Sequence, residues 1–176
     1  IHFENESSGS VIDIYPAETT SLEVTIDFAS EILGKQTAYL NDVSGFVEEI
    51  ASARTFCFVR EIEPLLKLGY IKGGDLQNAI VIYDQKLSQE AFDEMANKLG
   101  APKQNANKLG YLCNLNYENE PARHKLLDLI GDLSLVGMPI QGRIVAYRPG
   151  HTTNTKFAKQ LRNKIKGIES AISNLK

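Results

Sequence analysis

Two stretches near the N-terminus alternate apolar and polar residues, and this period of two is the pattern that most limits what the chain can fold into. In "VIDIYPA" and again in "SLEVTIDF", apolar side chains recur at every second position, which in the second stretch places four of them on one face: Leu22, Val24, Ile26 and Phe28. Successive side chains of a β-strand point to opposite faces, so the alternation predicts two half-buried strands. A sheet with one apolar face needs a second layer to cover that face.

The remainder of the chain mixes strand and helix signals. Three runs rich in β-branched and aromatic residues predict further strands: "RTFCFV", "NAIVIYD" and "IQGRIVAY". "DVSGFVEEIASA" predicts a short helix with Asp42 or Ser44 as N-cap, and "SQEAFDEMANKLG" predicts a helix between a Ser88 cap and a Gly100 stop. An amphipathic helix is expected from about Thr153 onward.

These elements alternate irregularly, and the two strands at the start look like hairpin neighbours. The order predicts an α+β fold, a two-layer sandwich with a mostly antiparallel sheet and helices packed on one side. At 176 residues the chain is long enough for one domain with a real core, so a single domain over residues 1–176 is expected. "EIEPLLKLGYIKGG" predicts a helical turn that ends at Gly69, followed by a tight bend at Gly73 and Gly74.

Composition excludes some classes of protein. A net charge of −3 gives no general attraction to nucleic acid or to an anionic membrane. No apolar run approaches the roughly 20 residues of a membrane-spanning helix, and no signal peptide is recognised. Cys57 and Cys113 lie in apolar surroundings and are expected to be reduced thiols in a cytoplasmic protein. Because the chain begins at Ile1, it is expected to be a piece of a longer polypeptide.

The segment "RHKLLDLIGDL" reads as a helix with a line of polar residues on one side. His124, Asp128 and Asp132 recur every four residues, and side chains at that spacing share one helix face. His124 and Asp128 could therefore ligate one cation. The spacing by itself also fits an ordinary solvated ion pair, and both interpretations remain open on this evidence.

Two more candidates lie within or just after predicted strands. His151 comes after "YRPG" and before a helix, where a histidine can serve as general acid or base; the alternative is a plain helix start capped by Thr152 or Thr153. Thr55 lies between apolar neighbours in "ARTFCF", and its hydroxyl is either simply that of a β-forming residue or a donor to a developing oxyanion.

The C-terminal helix is rich in basic residues, which are expected to form a polar helix face: Lys156, Lys159, Arg162, Lys164 and Lys166. An RNA-binding face is the less favoured interpretation because aromatic stacking platforms are lacking. The alternative function kept open is a non-catalytic α+β module that binds RNA or a protein partner through its exposed face and this helix.

Taken in order, the segments "ARTFCF", "EIE", "LGYIKGGDLQNAIVI", "YENEPARHKLLDLIGDLSLVG" and "GRIVAYRPGHTTN" closely resemble the C-terminal half of the UDP-3-O-acyl-N-acetylglucosamine deacetylase family. That resemblance covers most of residues 50–162. It implies a bacterial zinc hydrolase of lipid A synthesis, built from two similar α+β halves with the active site between them.

The resemblance also implies roles for individual residues. His124 and Asp128 match two of the three protein ligands of zinc, and His151 matches the histidine that protonates the leaving amine. Asp132 matches the acid that orients this histidine, and Thr55 matches the hydroxyl that polarises the acetyl carbonyl. Phe56 and Lys125 match contacts to the UDP-sugar substrate with its 3-O-acyl chain.

Two segments are predicted to be inserted into the frame, at about residues 61–83 and 88–112. The first resembles a passage for the fatty acyl chain, with Ile62, Ile71, Gly74 and Val81 as candidate lining residues. For the second, the family usually has a shorter connection, and no role is assigned.

The chain departs from the family pattern in one important respect. The third zinc ligand of the family is a histidine next to a glutamate base in the N-terminal half, and no such His–Glu pair occurs in this chain. The chain is therefore expected to need that N-terminal half as its partner and to be inactive alone. Some members of the family continue into a fused hydroxyacyl-carrier-protein dehydratase, so the lysine-rich end is a candidate linker to such a domain.

Overall fold

The first alternating stretches form strands of a five-stranded sheet in a computed structural model that describes residues 1–62 and 76–173. Its strands are β1 (His2–Asn5), β2 (Ser10–Tyr15), β3 (Ser21–Asp27), β4 (Lys35–Leu40) and β8 (Arg143–Tyr147). They lie in the order β1-β2-β8-β3-β4. The α+β prediction is confirmed, and the sheet belongs to the first of two compact units, which comprises residues 1–27, 36–52 and 122–176.

The order of these strands corrects one expectation. β2 and β3 are not hairpin neighbours, because β8 lies between them, antiparallel to β2 and parallel to β3. Gly142 allows this entry of β8 beside β2: its φ is 156°, and a Cβ there would lie 2.7 Å from the carbonyl oxygen of Tyr15. Only a glycine fits so close to a neighbouring backbone.

One face of this sheet is buried, as the period of two predicts. Leu22 and Ile14 flank Ile144 in register, and Val24 and Ile12 flank Ala146 in the next row. All are buried, while the residues between them along each strand are partly exposed. This pattern is that of a sheet covered on one side. Phe28, expected on the same face, lies beyond the end of β3.

Helices with apolar faces also belong to the first unit. Helix α1 (Phe46–Glu49) follows a 3-10 turn over Val43–Gly45, and Asp42 caps that turn by accepting a hydrogen bond from the backbone N–H of Ser44 at 2.8 Å. Helix α3 (Glu120–Leu133) buries Leu126, Leu129 and Leu133, and helix α4 (His151–Ser173) buries Phe157, Ala158 and Leu161.

The second unit comprises residues 28–35 and 53–121 and has its own small sheet. There β5 (Thr55–Phe58) pairs with β6 (Ala79–Tyr83) in parallel, and β6 pairs with β7 (Gly110–Tyr111) antiparallel. Helix α2 (Gln89–Leu99) begins at the predicted Ser88 cap and ends at Gly100, whose φ is 66°. Both predicted ends of this helix are confirmed.

Helix α2 supplies much of the core of the second unit. Phe92, Met95, Ala96 and Leu99 are buried together with Val59, Val81 and Tyr83. The Tyr83 hydroxyl donates to the carbonyl of Ala106 at 2.7 Å and accepts from the N–H of Leu87 at 2.9 Å. The stretch predicted as an insertion at 88–112 thus forms part of this core.

The predicted turn at Gly69 and the bend at Gly73 and Gly74 lie outside the described residues, as does most of the predicted insertion at 61–83. In the part of the chain that the structure describes, no helix has the length and apolar character to cross a membrane.

Candidate active site

The polar line on α3 is mostly covered. His124, Asp128 and Asp132 follow one another along one side of the helix, and the side chain of Asp128 is only 8% exposed. His124 and Asp132 are also largely buried. A solvated helix face, one of the two interpretations of the spacing, does not describe residues so well shielded from water. Burial of a carboxylate is costly unless its oxygens find partners.

Asp128 has a positively charged or protonatable group near each oxygen. Its Oδ2 accepts from the Lys125 Nζ at 2.8 Å, and its Oδ1 lies 3.4 Å from the His124 Nε2. The second distance is longer than an ordinary N–H···O hydrogen bond of about 2.7–3.2 Å. The His151 Nε2 lies 3.8 Å from Asp128 Oδ2, so both histidines border the same buried carboxylate.

His151 follows a turn in which one residue has a strained backbone conformation. Arg148 has a φ of 51°, in the left-handed region that residues with a side chain rarely adopt. Two hydrogen bonds hold this residue: its N–H donates to the Thr25 carbonyl at 2.7 Å, and its carbonyl accepts from the Ser10 hydroxyl at 2.7 Å. Pro149 and Gly150 follow, and α4 begins at His151 itself. Thr152 and Thr153, the alternative caps, therefore lie inside the first turn.

Asp132 anchors the imidazole of His151. The His151 Nδ1 lies 2.8 Å from Asp132 Oδ2, which also accepts from the Asn154 Nδ2 at 2.9 Å. An ionised carboxylate can only accept, so Nδ1 carries a proton and Nε2 is the atom available for exchange. The ring is 67% exposed, and Nε2 is accessible to a reactant.

The donor atoms of His124 and Asp128 fit zinc in type and in separation. One imidazole nitrogen and one carboxylate oxygen are ordinary zinc donors, and tetrahedral geometry with the usual bond lengths places two such donors about 3.3–3.4 Å apart. The 3.4 Å between His124 Nε2 and Asp128 Oδ1 matches this separation. Within residues 1–62 and 76–173, however, no group of three or more His, Cys, Asp or Glu side chains is arranged to hold a metal. Catalytic zinc sites use three protein ligands, so these two residues fit zinc as part of a larger set.

The candidates of the second unit fall into two groups. Thr55 is exposed at the start of β5, and Phe56 is partly buried with its ring 5.4 Å from that of Phe28. Ile62 and Val81 are instead buried, 4% and 3% exposed. Ile71 and Gly74 lie outside the described residues.

Sequence reasoning missed a buried ion pair in the second unit. Glu120 is 0% exposed, and its carboxylate accepts from the Arg54 Nε at 2.9 Å and from the Arg54 Nη2 at 3.0 Å. It also accepts from the backbone N–H groups of Arg54 and Asn116. Burial raises the pKa of Glu120, but these hydrogen bonds outweigh it, so the pKa lies below its usual value. The only sequence signals were an arginine before a strand and a glutamate at a helix start, 66 residues apart.

The sequence analysis also passed over Ser10 and Asn154. Ser10 is a buried hydroxyl on a strand, and Asn154 is a buried amide in the first turn of α4. Both are polar residues at positions where the periodic pattern predicts burial, and that mismatch is the signal that identifies them.

The fold is α+β, and its cluster of two histidines and two carboxylates is a side-chain set suited to acid–base hydrolysis. The family model of UDP-3-O-acyl N-acetylglycosamine deacetylase matches residues 1–98 and 103–163. The chain belongs to this deacetylase family. The match is interrupted only at 99–102, inside the segment predicted as inserted at 88–112.

Individual relatives agree with the family match. A bifunctional LpxC/FabZ enzyme of Bacteroides thetaiotaomicron is 55% identical over 94% of this chain and 36% of the relative. A bifunctional LpxC/FabZ enzyme of Porphyromonas gingivalis is 48% identical over 93% of this chain and 36% of the relative. A UDP-3-O-acyl-N-acetylglucosamine deacetylase of Aquifex aeolicus is 40% identical over 92% of this chain and 48% of the relative. The chain spans between a third and a half of these relatives, and nothing in the match favours an RNA-binding module.

Proposed function

We propose that this chain forms the second half of a zinc-dependent deacetylase, which removes the N-acetyl group from UDP-3-O-acyl-N-acetylglucosamine during lipid A biosynthesis in the cytoplasm. The observation that carries the proposal is the closeness of two pairs, His124–Asp128 and His151–Asp132: the His151 Nε2 lies 3.8 Å from Asp128 Oδ2. Membership of the deacetylase family supports the reaction, and the names of the relatives support the substrate.

His124 and Asp128 would hold the zinc together with a third ligand from the N-terminal half of the same enzyme. That half would also supply the glutamate base. When bound, zinc polarises the carbonyl oxygen of the amide and makes water a stronger acid. Lys125 donates to Asp128 Oδ2, and the other N–H groups of its ammonium can contact the substrate.

His151 acts as the general acid in this proposal. Cleavage of the amide C–N bond leaves an amine that must gain a proton, and His151 delivers it from Nε2. Asp132 accepts from Nδ1, which keeps the ring in one orientation. Acetate and the free amino sugar are the products.

Thr55 and Phe56 would supply substrate contacts. The exposed hydroxyl of Thr55 is suited to donate to the acetyl carbonyl, and Phe56 offers an apolar surface. Ile62, Ile71, Gly74 and Val81 remain the predicted lining of the acyl passage, and Ile62 and Val81 are buried in this structure. The bifunctional relatives support a fused dehydratase domain as part of the whole protein.

The test uses the full-length polypeptide that contains this chain and follows acetate release from UDP-3-O-acyl-N-acetylglucosamine. We expect release by the full-length protein, loss of release after chelation and recovery with added zinc. The isolated chain should release no acetate because one ligand and the base are absent. Release that survives complete removal of metal would contradict the zinc assignment.

The role of His151 has a matched control within the chain. His151→Ala is expected to lower kcat by about 10²- to 10⁴-fold, the usual contribution of a general acid. His2 also contacts an aspartate, Asp13, through Nδ1 at 2.8 Å, yet it lies outside the cluster. His2→Ala should leave kcat unchanged, and an unchanged kcat in His151→Ala would overturn the assignment.

A further inference from the structure

Asn154 is a fully buried amide behind the His151–Asp132 pair. It is 0% exposed, and its Nδ2 donates to Asp132 Oδ2 at 2.9 Å. That same oxygen accepts from His151 Nδ1 at 2.8 Å. Asp132 Oδ2 therefore accepts two hydrogen bonds, one from the buried Asn154 and one from the largely exposed His151.

The stability of the fold does not explain an amide at this position. In the part of the chain that the structure describes, the Oδ1 of Asn154 has no hydrogen-bond partner. A buried polar atom without a partner lowers stability, and an apolar side chain of similar size would avoid that cost. The feature that an apolar side chain cannot reproduce is the N–H group directed at Asp132.

We propose that Asn154 is a positioning residue, which holds Asp132 in the rotamer that orients the His151 ring. The inference rests on the proposed function, in which His151 Nε2 delivers a proton to the leaving amine. A neutral amide donates to Oδ2 without adding a charge, and the same oxygen still accepts from His151 Nδ1. Because the His151 ring is largely exposed, this anchored oxygen is what restricts its rotation, and correct orientation of an acid raises the reaction rate.

The first experiment replaces Asn154 with leucine in the full-length enzyme. Asn154→Leu is expected to lower kcat by about 10- to 100-fold, as for loss of a hydrogen bond to a charged group, with KM within about twofold of wild type. The Tm should stay equal or rise, because the unpaired Oδ1 is removed. A kcat within about threefold of wild type, or a change confined to KM, would overturn the proposal.

Thr153 offers the matched control. It is the preceding residue, it is buried to a similar degree, and its hydroxyl accepts from the Asn5 Nδ2 at 3.0 Å rather than contacting Asp132. Thr153→Val should leave kcat within about twofold of wild type, because it disturbs the same helical turn without touching the pair. An equal fall in kcat for Thr153→Val would show that disruption of the turn explains both variants and would overturn the proposal.

A double-mutant cycle separates positioning from a structural effect. If Asn154 acts through Asp132, the additional effect of Asn154→Leu should vanish in an Asp132→Ala background. If the two substitutions acted independently, the loss of kcat in the double variant would equal the product of the two single losses. That result would overturn the proposal.

A spectroscopic measurement decides the question even if the proposed deacetylation fails. In the metal-free full-length protein labelled with ¹⁵N-histidine, the hydrogen-bonded Nδ1 proton of His151 is identified as the downfield resonance lost in Asp132→Ala. We expect the same resonance to be lost or broadened in Asn154→Leu and retained in Thr153→Val. Its retention in Asn154→Leu would refute the positioning role, whereas a wild-type protein that releases no acetate would refute only the proposed function.

Discussion

At the scale of single residues, burial decides which polar atoms are reactive. The thiol of Cys57 is half-buried on β5, and its Sγ lies 3.8 Å from the carbonyl oxygen of Ile80. Burial, together with the nearby carboxylate of Glu61, raises the pKa of Cys57 to about 11. The prediction of a reduced thiol agrees with the free Cys57, and the raised pKa lowers its reactivity because the thiolate is the reactive form.

Cys57 is therefore expected to resist alkylation. At pH 8 a thiol of pKa about 11 is ionised in about one molecule in a thousand, so iodoacetamide should react with native Cys57 on the order of a hundredfold more slowly than with the same thiol in denaturant. Mass spectrometry of the Cys57 peptide measures both rates. Similar rates in the two conditions would contradict the burial argument.

At the scale of elements, the turn between β8 and α4 places the candidate acid. The strand runs into Arg148, whose left-handed backbone reverses the chain just before His151. A residue with a Cβ pays about 1–2 kcal/mol for that conformation, and the hydrogen bonds from Ser10 and to Thr25 hold it there. Local strain next to a proposed catalytic group is a recurring feature of functional sites.

Substitution by glycine tests this strain directly. Arg148→Gly should raise the free energy of unfolding by up to about 1 kcal/mol, because glycine adopts the left-handed region without a steric cost. Arg143→Gly is the comparison: Arg143 is exposed at the start of the same strand and pairs with Glu23 at 3.0 Å, so glycine removes that ion pair, adds freedom to the unfolded chain and should destabilise. Urea unfolding of both variants measures the change in the free energy of unfolding, which should be positive for Arg148→Gly and negative for Arg143→Gly. A destabilised Arg148→Gly would refute the strain.

At the scale of the whole molecule, the buried ion pair Arg54–Glu120 joins distant parts of the chain. Arg54 precedes β5, Glu120 opens α3, and the Arg54 guanidinium also donates to the carbonyls of Leu76 and Asn114. The pKa of Glu120 is lowered in the folded state, so the stability it contributes is present above its unfolded pKa of about 4.3. That contribution is lost as pH falls through the lower, folded pKa.

Glu120→Gln should accordingly reduce stability at pH 7 on the order of 3 kcal/mol, since it leaves the Arg54 charge buried without its partner. Between pH 5 and pH 3 the variant should lose less stability than the wild type. Glu94→Gln removes an exposed pair with Lys98 and should change stability by less than about 0.5 kcal/mol. Chemical denaturation across pH measures these values, and parallel pH curves for wild type and Glu120→Gln would contradict the assignment.

Much of the secondary structure and the polar line of the candidate site could be predicted from the sequence. The alternation at Leu22, Val24 and Ile26, the caps at Asp42 and Ser88, and the four-residue spacing of His124 and Asp128 are local, because each depends on backbone periodicity or on a neighbour within four residues. The resemblance to the deacetylase family, now supported by the family match, was also readable from short motifs.

Only the tertiary structure decided which distant segments meet. The insertion of β8 between β2 and β3 and the ion pair of Arg54 with Glu120 join residues 66 to more than 100 positions apart. Such contacts depend on which apolar faces share a core and on the strand register that this sharing imposes. For the same reason, the sequence does not show that the amide of Asn154 is buried against Asp132.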